Sequence, residues 1–162
     1  MVLLQGPRQC GNTTLAHSVA NRLVKTPKLH LGDTGVASAL LRVDAPALHA
    51  NRALLGQLLE TFVFQELRRQ ASGQPEPTSF YHFRHRDDHE VDLVLEQGDS
   101  LVGVEVKASG TVRPEDFRGL RKLQEIAGDR FACGVVLYDG EVSLPFGPRL
   151  FALPIQTLWA SR

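Results

Sequence analysis

The amino-acid sequence predicts an α/β domain. Its longest helical pattern runs from about Arg52 to Gln70, where apolar residues recur every three or four positions. Two strand patterns, Glu90–Glu96 and Leu101–Ala108, are separated by a short connection that contains glycine, as in an antiparallel hairpin. Phe131–Tyr138 is almost continuously apolar, which is typical of a strand buried on both faces. The 162 residues suffice for one domain with one hydrophobic core.

Short elements are predicted in the amino-terminal part of the chain. Met1–Gln5 has the pattern of a strand, and Leu15–Val24 has that of a short helix. Lys25–Lys28 contains a proline and interrupts the helical pattern. A short strand at Leu29–Leu31 and a short helix at Val36–Leu41 are expected to follow.

The long helix is expected to be mostly buried, because its apolar stripe is wide. The stripe comprises Leu54, Leu55, Leu58, Leu59, Phe62, Val63, Phe64 and Leu67. A loop rich in Gly, Pro and Ser, Ala71–Thr78, then leads to a strand at Ser79–Arg84.

The carboxy-terminal third is predicted to hold a second helix and a closing strand. Pro114 suits the first turn of a helix that ends near Gly128. Its apolar face carries Phe117, Leu120, Leu123 and Ala127. Leu144–Trp159 contains proline and is expected to close the domain with one short strand.

Composition restricts the class of protein. Lys plus Arg and Asp plus Glu both number 18, so the net charge is zero, and any contact with nucleic acid would need a local basic patch. Cys10 and Cys133 lack zinc-site spacing and are too few for a disulfide framework. Since no apolar run is long enough to cross a bilayer, we expect a cytoplasmic protein without a membrane partner.

The predicted hairpin brings charged residues together. With its turn centred between Gly98 and Asp99, Asp92 faces Glu105 and Glu90 faces Lys107. The opposite face is then wholly apolar and must be core. Its residues are Val91, Leu93, Leu95, Val102, Val104 and Val106.

Asp92 and Glu105 would be like charges about 5 Å apart, which destabilises a sheet unless a positive charge lies between them. Lys107 offers one such charge, and a divalent cation such as Mg²⁺ would satisfy the rest. The alternative is a solvated strand face on which Lys107 pairs with Glu90. Both interpretations stay open at this point.

Glu60 is the third acidic candidate, because it lies in the most apolar helix, where a carboxylate needs a partner. The alternative is a position at the helix edge, from which Glu60 reaches solvent. Glu66 could take the same part and is the second choice.

These residues resemble the PD-(D/E)xK nuclease superfamily. Asp92 is followed by Glu105-Val-Lys107, with Glu60 on the preceding helix, although Val91 stands where the motif has proline. The resemblance implies a restriction-endonuclease-like fold, in which a mixed central sheet is flanked by helices. It further implies that Glu60, Asp92 and Glu105 bind Mg²⁺ or Mn²⁺, and that Lys107 helps to activate the water that hydrolyses a phosphodiester of DNA.

A closer resemblance covers residues 24–162. They look like the uncharacterised carboxy-terminal domain of a large prokaryotic P-loop (AAA-type) ATPase family. The matching segments are Lys25–Leu29, Asp33–Gly35, Leu55–Gly56, Leu59–Val63, Glu90–Asp92, Val104–Lys107, Leu153–Pro154 and Leu158–Trp159.

The segment Gly6–Thr14 resembles a degenerate Walker A loop. Gly6, Gly11 and Thr13 stand at nucleotide-binding positions, but Asn12 replaces the lysine that would hold the β- and γ-phosphates. We therefore expect neither ATP as a cofactor nor ATPase activity. The resemblance divides the chain into an ATPase remnant, residues 1–24, and a nuclease-like domain, residues 25–162.

Two functions stay open. One is a metal-dependent endonuclease, and the other is a non-catalytic appendage of a truncated ATPase-family protein that binds a protein partner or DNA. Loss of the ATPase body would expose apolar surface and so favour a homodimer. Six basic residues could contact phosphates, or could simply be solvated: Arg84, Arg86, Arg113, Arg118, Arg121 and Lys122.

Overall fold

A computed structural model describes residues 2–4, 28–85 and 89–160. Side-chain placement is described from Lys28 onwards, except at Leu29. The predicted Walker A-like segment Gly6–Thr14, the predicted helix Leu15–Val24 and Arg86 lie outside the described residues. The division at residue 24 therefore stays a prediction.

Six strands form one mixed sheet, which confirms the predicted α/β class with a central sheet flanked by helices. The strands are β3 (Ser79–Arg84), β4 (Glu90–Gln97), β5 (Ser100–Lys107), β6 (Phe131–Tyr138), β7 (Leu144–Gly147) and β8 (Leu150–Pro154). Their order in the sheet is β3-β4-β5-β6-β8-β7. β5 and β8 each run parallel to β6, and the other neighbours are antiparallel.

A separate two-stranded ribbon precedes the sheet. In it, β1 (Val2–Leu4) pairs antiparallel with β2 (Leu29–Leu31), as the two predicted short strands allow. This ribbon matters because Lys28 immediately precedes β2.

Four α-helices are described: α1 (Thr34–Leu41), α2 (Ala45–Ala50), α3 (Arg52–Ala71) and α4 (Arg118–Ala127). Short 3₁₀ helices span Pro114–Phe117, Gly128–Arg130 and Ile155–Trp159. Within the described part of the chain, no helix has both the length and the apolar character needed to cross a bilayer.

The helix α2 was not predicted, because it is too short to show a period. Its start is set locally, since the Asp44 side chain accepts a hydrogen bond from the Ala47 backbone N–H. Asn51 caps α3 in the same way through Leu54 N–H, so the long helix begins at the predicted residue.

The expectation that α3 is mostly buried was wrong. Its buried residues are Thr61, Val63, Phe64 and Glu66, whereas Phe62 in the predicted stripe is 39% exposed. The helix covers one face of the sheet, so only the side turned towards the strands is removed from water.

The core lies on both faces of the sheet. Val63 and Phe64 of α3 pack with Leu137 of β6, while Leu120 of α4 packs with the adjacent Val136. Successive residues of a strand point to opposite faces, so α3 and α4 cover opposite sides. Burying each such side chain contributes about 1.5–3 kcal/mol.

The hairpin has the predicted register, with Leu93 facing Val104 and Gln97 facing Ser100. The prediction that six residues share one apolar face was wrong for Val91. This residue packs in the cluster with α4, whereas the other five residues of the predicted face pack with α3. The cause is a bulge, because the β3–β4 register changes between Tyr81 opposite Val94 and Phe83 opposite Val91.

The carboxy-terminal segment holds two strands where one was expected. Arg149 has a positive φ of 62° and lies in the turn that joins β7 to β8. Pro145 is tolerated because β7 is the edge strand.

Candidate active site

The beginning of β4 and the end of β5 meet at one end of the sheet. Leu93 and Val104 are the last paired residues of β4 and β5 at this end. Beyond them the Asp92 side chain links the two strands, because its Oδ2 accepts a hydrogen bond from Val106 N–H at 2.9 Å. This bond orients the Asp92 carboxylate beside β5.

Lys28 lies among three carboxylates. Its Nζ is 2.8 Å from Glu60 Oε1, 2.8 Å from Asp92 Oδ1 and 3.4 Å from Glu90 Oε1. Burial alone would lower the pKa of Lys28, but the charges of Asp92 and Glu60 and their hydrogen bonds outweigh burial and raise it. Lys28 is therefore a firmly charged link between α3 and β4.

The strand β2 holds Lys28 in place by packing along α3. The His30 ring stacks on Phe64 with centroids 4.5 Å apart, and His30 Nδ1 is 3.3 Å from Thr61 Oγ1. One residue further, Gln65 Nε2 donates a hydrogen bond to Leu31 O at 2.9 Å. These contacts place the backbone before β2 beside Glu60.

Glu60, and not Glu66, is the helix carboxylate of this region. Burial and the nearby charge of Asp92 raise the pKa of Glu60, although Lys28 opposes that rise. Glu66 instead accepts hydrogen bonds from Arg69 at 2.6 Å and Gln70 at 2.7 Å on its own helix.

Glu105 and Lys107 form the second charged pair. Lys107 Nζ lies 3.0 Å from Glu105 Oε1 and 3.8 Å from Asp116 Oδ1. Glu90, the alternative partner of Lys107, contacts Lys28 instead. Burial, and next the charge of Asp92, raise the pKa of Glu105 to about 7. Glu105 is therefore the carboxylate whose charge is least well compensated.

All four predicted residues line one open cleft of about 410 Å³. Glu60 comes from α3, Asp92 from β4, and Glu105 and Lys107 from β5. The four residues therefore line the same cleft, as the sequence predicts, while their roles in metal binding and catalysis stay predictions. The cleft is also lined by Arg52, Ala53, Gly56, Gln57, Val106, Ala108 and Ser109.

Sequence reasoning missed Lys28 and Arg52. Lys28 belongs to the segment Lys25–Leu29, which contributes to the family resemblance, but the sequence pattern predicted no role for the Lys28 charge. Arg52 lies at the first position of α3, with Nη2 3.7 Å from Asp139 Oδ2. No periodicity marks either residue as part of a site, because each depends on how separate elements pack.

The donor set fits a hard cation in its chemistry, since Mg²⁺ prefers carboxylate oxygens. Glu60 and Asp92 both contact the Lys28 ammonium, so their carboxylates lie close enough together to bind one cation. Over residues 28–85 and 89–160, however, no group of three or more His, Cys, Asp or Glu side chains is arranged to hold a metal ion. A metal would have to replace Lys28 and draw in Glu105.

The predicted phosphate contacts lie elsewhere. Arg121 donates a hydrogen bond to Pro114 O at 2.7 Å, and Lys122 pairs with Glu125 at 3.0 Å. The described members of that set do not line the cleft, so their contact with phosphate stays a prediction.

Comparison with known proteins adds a family. Residues 55–158 match the family model described as Domain of unknown function (DUF4143). The uncharacterised proteins Mb2031c of Mycobacterium bovis and Rv2008c of Mycobacterium tuberculosis are each 28% identical over 138 residues, which is 85% of this chain. The chain spans 29% of the length of these curated relatives.

One solved structure is similar to part of the fold. It is a refined half-complex from a tetradecameric assembly of Thermococcus gammatolerans McrB AAA+ hexamers with bound McrC. The TM-score is 0.44 at 17% identity, and the match covers 60% of this chain and 26% of that one.

Proposed function

The chain belongs to the DUF4143 family, and we propose that its cleft is a metal-dependent, PD-(D/E)xK-type site that hydrolyses phosphodiester bonds in DNA. The observation that carries this proposal is the convergence of Glu60, Asp92, Glu105 and Lys107 on one cleft from three elements. A carboxylate cluster beside a lysine, in an open cleft, suits phosphoryl chemistry better than it suits a packed core.

Each residue has a distinct part. Glu60, Asp92 and Glu105 would hold Mg²⁺ or Mn²⁺, which when bound polarises a phosphoryl oxygen and lowers the pKa of a water. Lys107 donates a hydrogen bond to the attacking water or to the phosphoryl oxygen that gains charge. Arg52, on the rim of the cleft, can bind the phosphate next to the one that is cut, since a guanidinium matches phosphate geometry.

The test is a cleavage assay on supercoiled plasmid and on single-stranded DNA, with Mg²⁺ or Mn²⁺ and with EDTA. Asp92→Asn and Lys107→Ala are expected to lower the rate by about 10²–10⁴-fold, the usual effect of removing a positioned catalytic group. Glu125→Gln is the matched control, because Glu125 is an exposed carboxylate that pairs with Lys122 away from the cleft. It should cut as fast as the wild type.

Activity that is equal in Lys107→Ala and in the wild type would overturn the proposal. So would the absence of cleavage by the wild type on both substrates with both metals.

The second candidate function is a non-catalytic appendage that binds a partner. The specific observation in its favour is that Lys28 already pairs with both Glu60 and Asp92. This candidate predicts that neither Mg²⁺ nor Mn²⁺ raises the melting temperature of the wild type or of any cleft variant. A metal-dependent rise that disappears in Asp92→Asn would exclude it.

A further inference from the structure

We infer that Lys28 is a tethered competitor of the metal: its ammonium holds the place between Glu60 and Asp92 that a divalent cation would take. This inference rests on the proposed function, because it concerns the same carboxylates. It assigns a role to a residue that lies outside the Asp…Glu-x-Lys pattern.

Geometry makes the two cations mutually exclusive. Lys28 Nζ is 2.8 Å from an oxygen of each carboxylate, the distance of a charge-assisted hydrogen bond. A Mg²⁺ ion bound by the same oxygens would lie about 2.0–2.1 Å from them. Both cations would then occupy nearly the same space, and their repulsion would be large.

The Lys28 ammonium also lies in an excess of negative charge. Glu90 adds a third carboxylate at 3.4 Å from Lys28, so the ammonium faces three acidic groups from α3 and β4. Removing the ammonium would leave these groups to repel one another in a half-buried position. That repulsion would favour a divalent cation in the place of the ammonium.

Lys28 can leave without unfolding its strand. Besides the Lys28–Glu60 ion pair, β2 contacts α3 through the His30 ring and the Leu31 carbonyl, and these contacts do not depend on the Lys28 ammonium. The four-carbon stem of lysine is flexible, so Nζ can swing towards solvent while the backbone stays in place. Exchange between Lys28 and a metal is therefore a local rearrangement.

The test measures Mn²⁺ affinity of the full chain by titration calorimetry, together with thermal unfolding in EDTA and in Mn²⁺. Lys28→Met removes the charge and keeps an unbranched side chain. We expect it to bind Mn²⁺ at least tenfold more tightly than the wild type, to melt at a lower temperature in EDTA, and to recover that loss in Mn²⁺. Lys28→Arg keeps the charge and should keep the weak affinity.

Arg69→Met is the matched control, because it removes the cation partner of Glu66, a second glutamate of α3 that lies away from Lys28. Its Mn²⁺ affinity should equal that of the wild type. If Lys28→Met does not purify as a folded protein, Lys28→Gln takes its place, since its amide can donate to both carboxylates, and the tenfold criterion stands.

An affinity of the charge-removing variant equal to or below that of the wild type would overturn the inference, as would no binding by either at millimolar Mn²⁺. Tighter Mn²⁺ binding by Lys28→Met without DNA cleavage by any variant would support the inference and contradict the proposed function. DNA cleavage by the wild type with unchanged Mn²⁺ affinity in Lys28→Met would do the reverse.

Discussion

Asp92 shows how one residue can join three segments. Its Oδ1 contacts Lys28 and its Oδ2 accepts a hydrogen bond from Val106 N–H, so the segment before β2, the strand β4 and the strand β5 meet at this carboxylate. The nearness of Asp92 to Glu105 could be predicted, because a tight hairpin sets which residues face each other. Contact with Lys28 could not, since it spans 64 positions and depends on β2 docking on α3.

His30 makes the docking of β2 sensitive to acid. Burial, and next the charge of Lys28, lower the pKa of His30 to about 4, against 6.5 in its ordinary state. The unfolded chain therefore takes up the proton first as the pH falls, and stability is lost between pH 6.5 and about 4. In urea titrations at pH 7 and 4.5, His30→Gln should lose less free energy of unfolding than the wild type does.

Equal losses in the two proteins would show that His30 is protonated as easily in the folded chain as in the unfolded one. Acidic groups that titrate in both proteins contribute equally to the loss of unfolding free energy between pH 7 and 4.5. Their contributions cancel when the two losses are subtracted, so the remaining difference reports on position 30 alone.

At the scale of elements, strong periods were predicted well, whereas short elements were predicted only in part. The long helix α3 and the strands β3 to β6 fall within one or two residues of their predicted bounds, because many apolar positions support each. The helix α2 and the second carboxy-terminal strand are short, and caps and turns determine them instead. The bulge that turns Val91 to the α4 side cannot be seen in an alternating pattern, because it breaks the alternation itself.

Gly119 sets how closely α4 approaches the start of β4. A Cβ at this position would lie 1.8 Å from Glu90 O and 3.2 Å from Val91 Cγ2, so one of the two elements would have to move. We expect Gly119→Ala to lower the free energy of unfolding by about 1–3 kcal/mol, the usual cost of overpacking. Denaturant titration measures this loss.

Gly56→Ala is the control for the same measurement, because a Cβ at Gly56 meets no atom within 4 Å. Alanine in a helix interior is more favourable than glycine by about 0.5–1 kcal/mol, so this variant should be more stable than the wild type. A Gly119→Ala variant as stable as Gly56→Ala would refute the close approach.

At the scale of the whole molecule, the predicted fold class is confirmed: a mixed sheet with helices on both faces. This outcome follows from the core, since both faces of β6 carry buried side chains. The candidate site was predicted in its acidic residues and in Lys107, which share one hairpin and one helix. Lys28, the second cation of the site, was not predicted, because it lies next to the amino-terminal ribbon and not in the hairpin.

The balanced overall charge places a further demand on the site. With 18 basic and 18 acidic residues, no global field draws DNA to the protein. For the proposed cleavage of DNA, attraction would have to come from local residues such as Arg52 and Lys107 at the cleft, beside an acidic cluster that repels phosphate until a cation neutralises it. Metal binding and DNA binding are therefore expected to be coupled.

The most direct measurement is a crystal structure of the full chain grown with Mn²⁺, with diffraction data collected at a wavelength where manganese scatters anomalously. We expect an anomalous peak bound by Glu60 and Asp92, with Glu105 drawn towards it and Lys28 Nζ displaced towards solvent. Crystals at saturating Mn²⁺ that show no peak in the cleft, with Lys28 Nζ still 2.8 Å from both carboxylates, would contradict it.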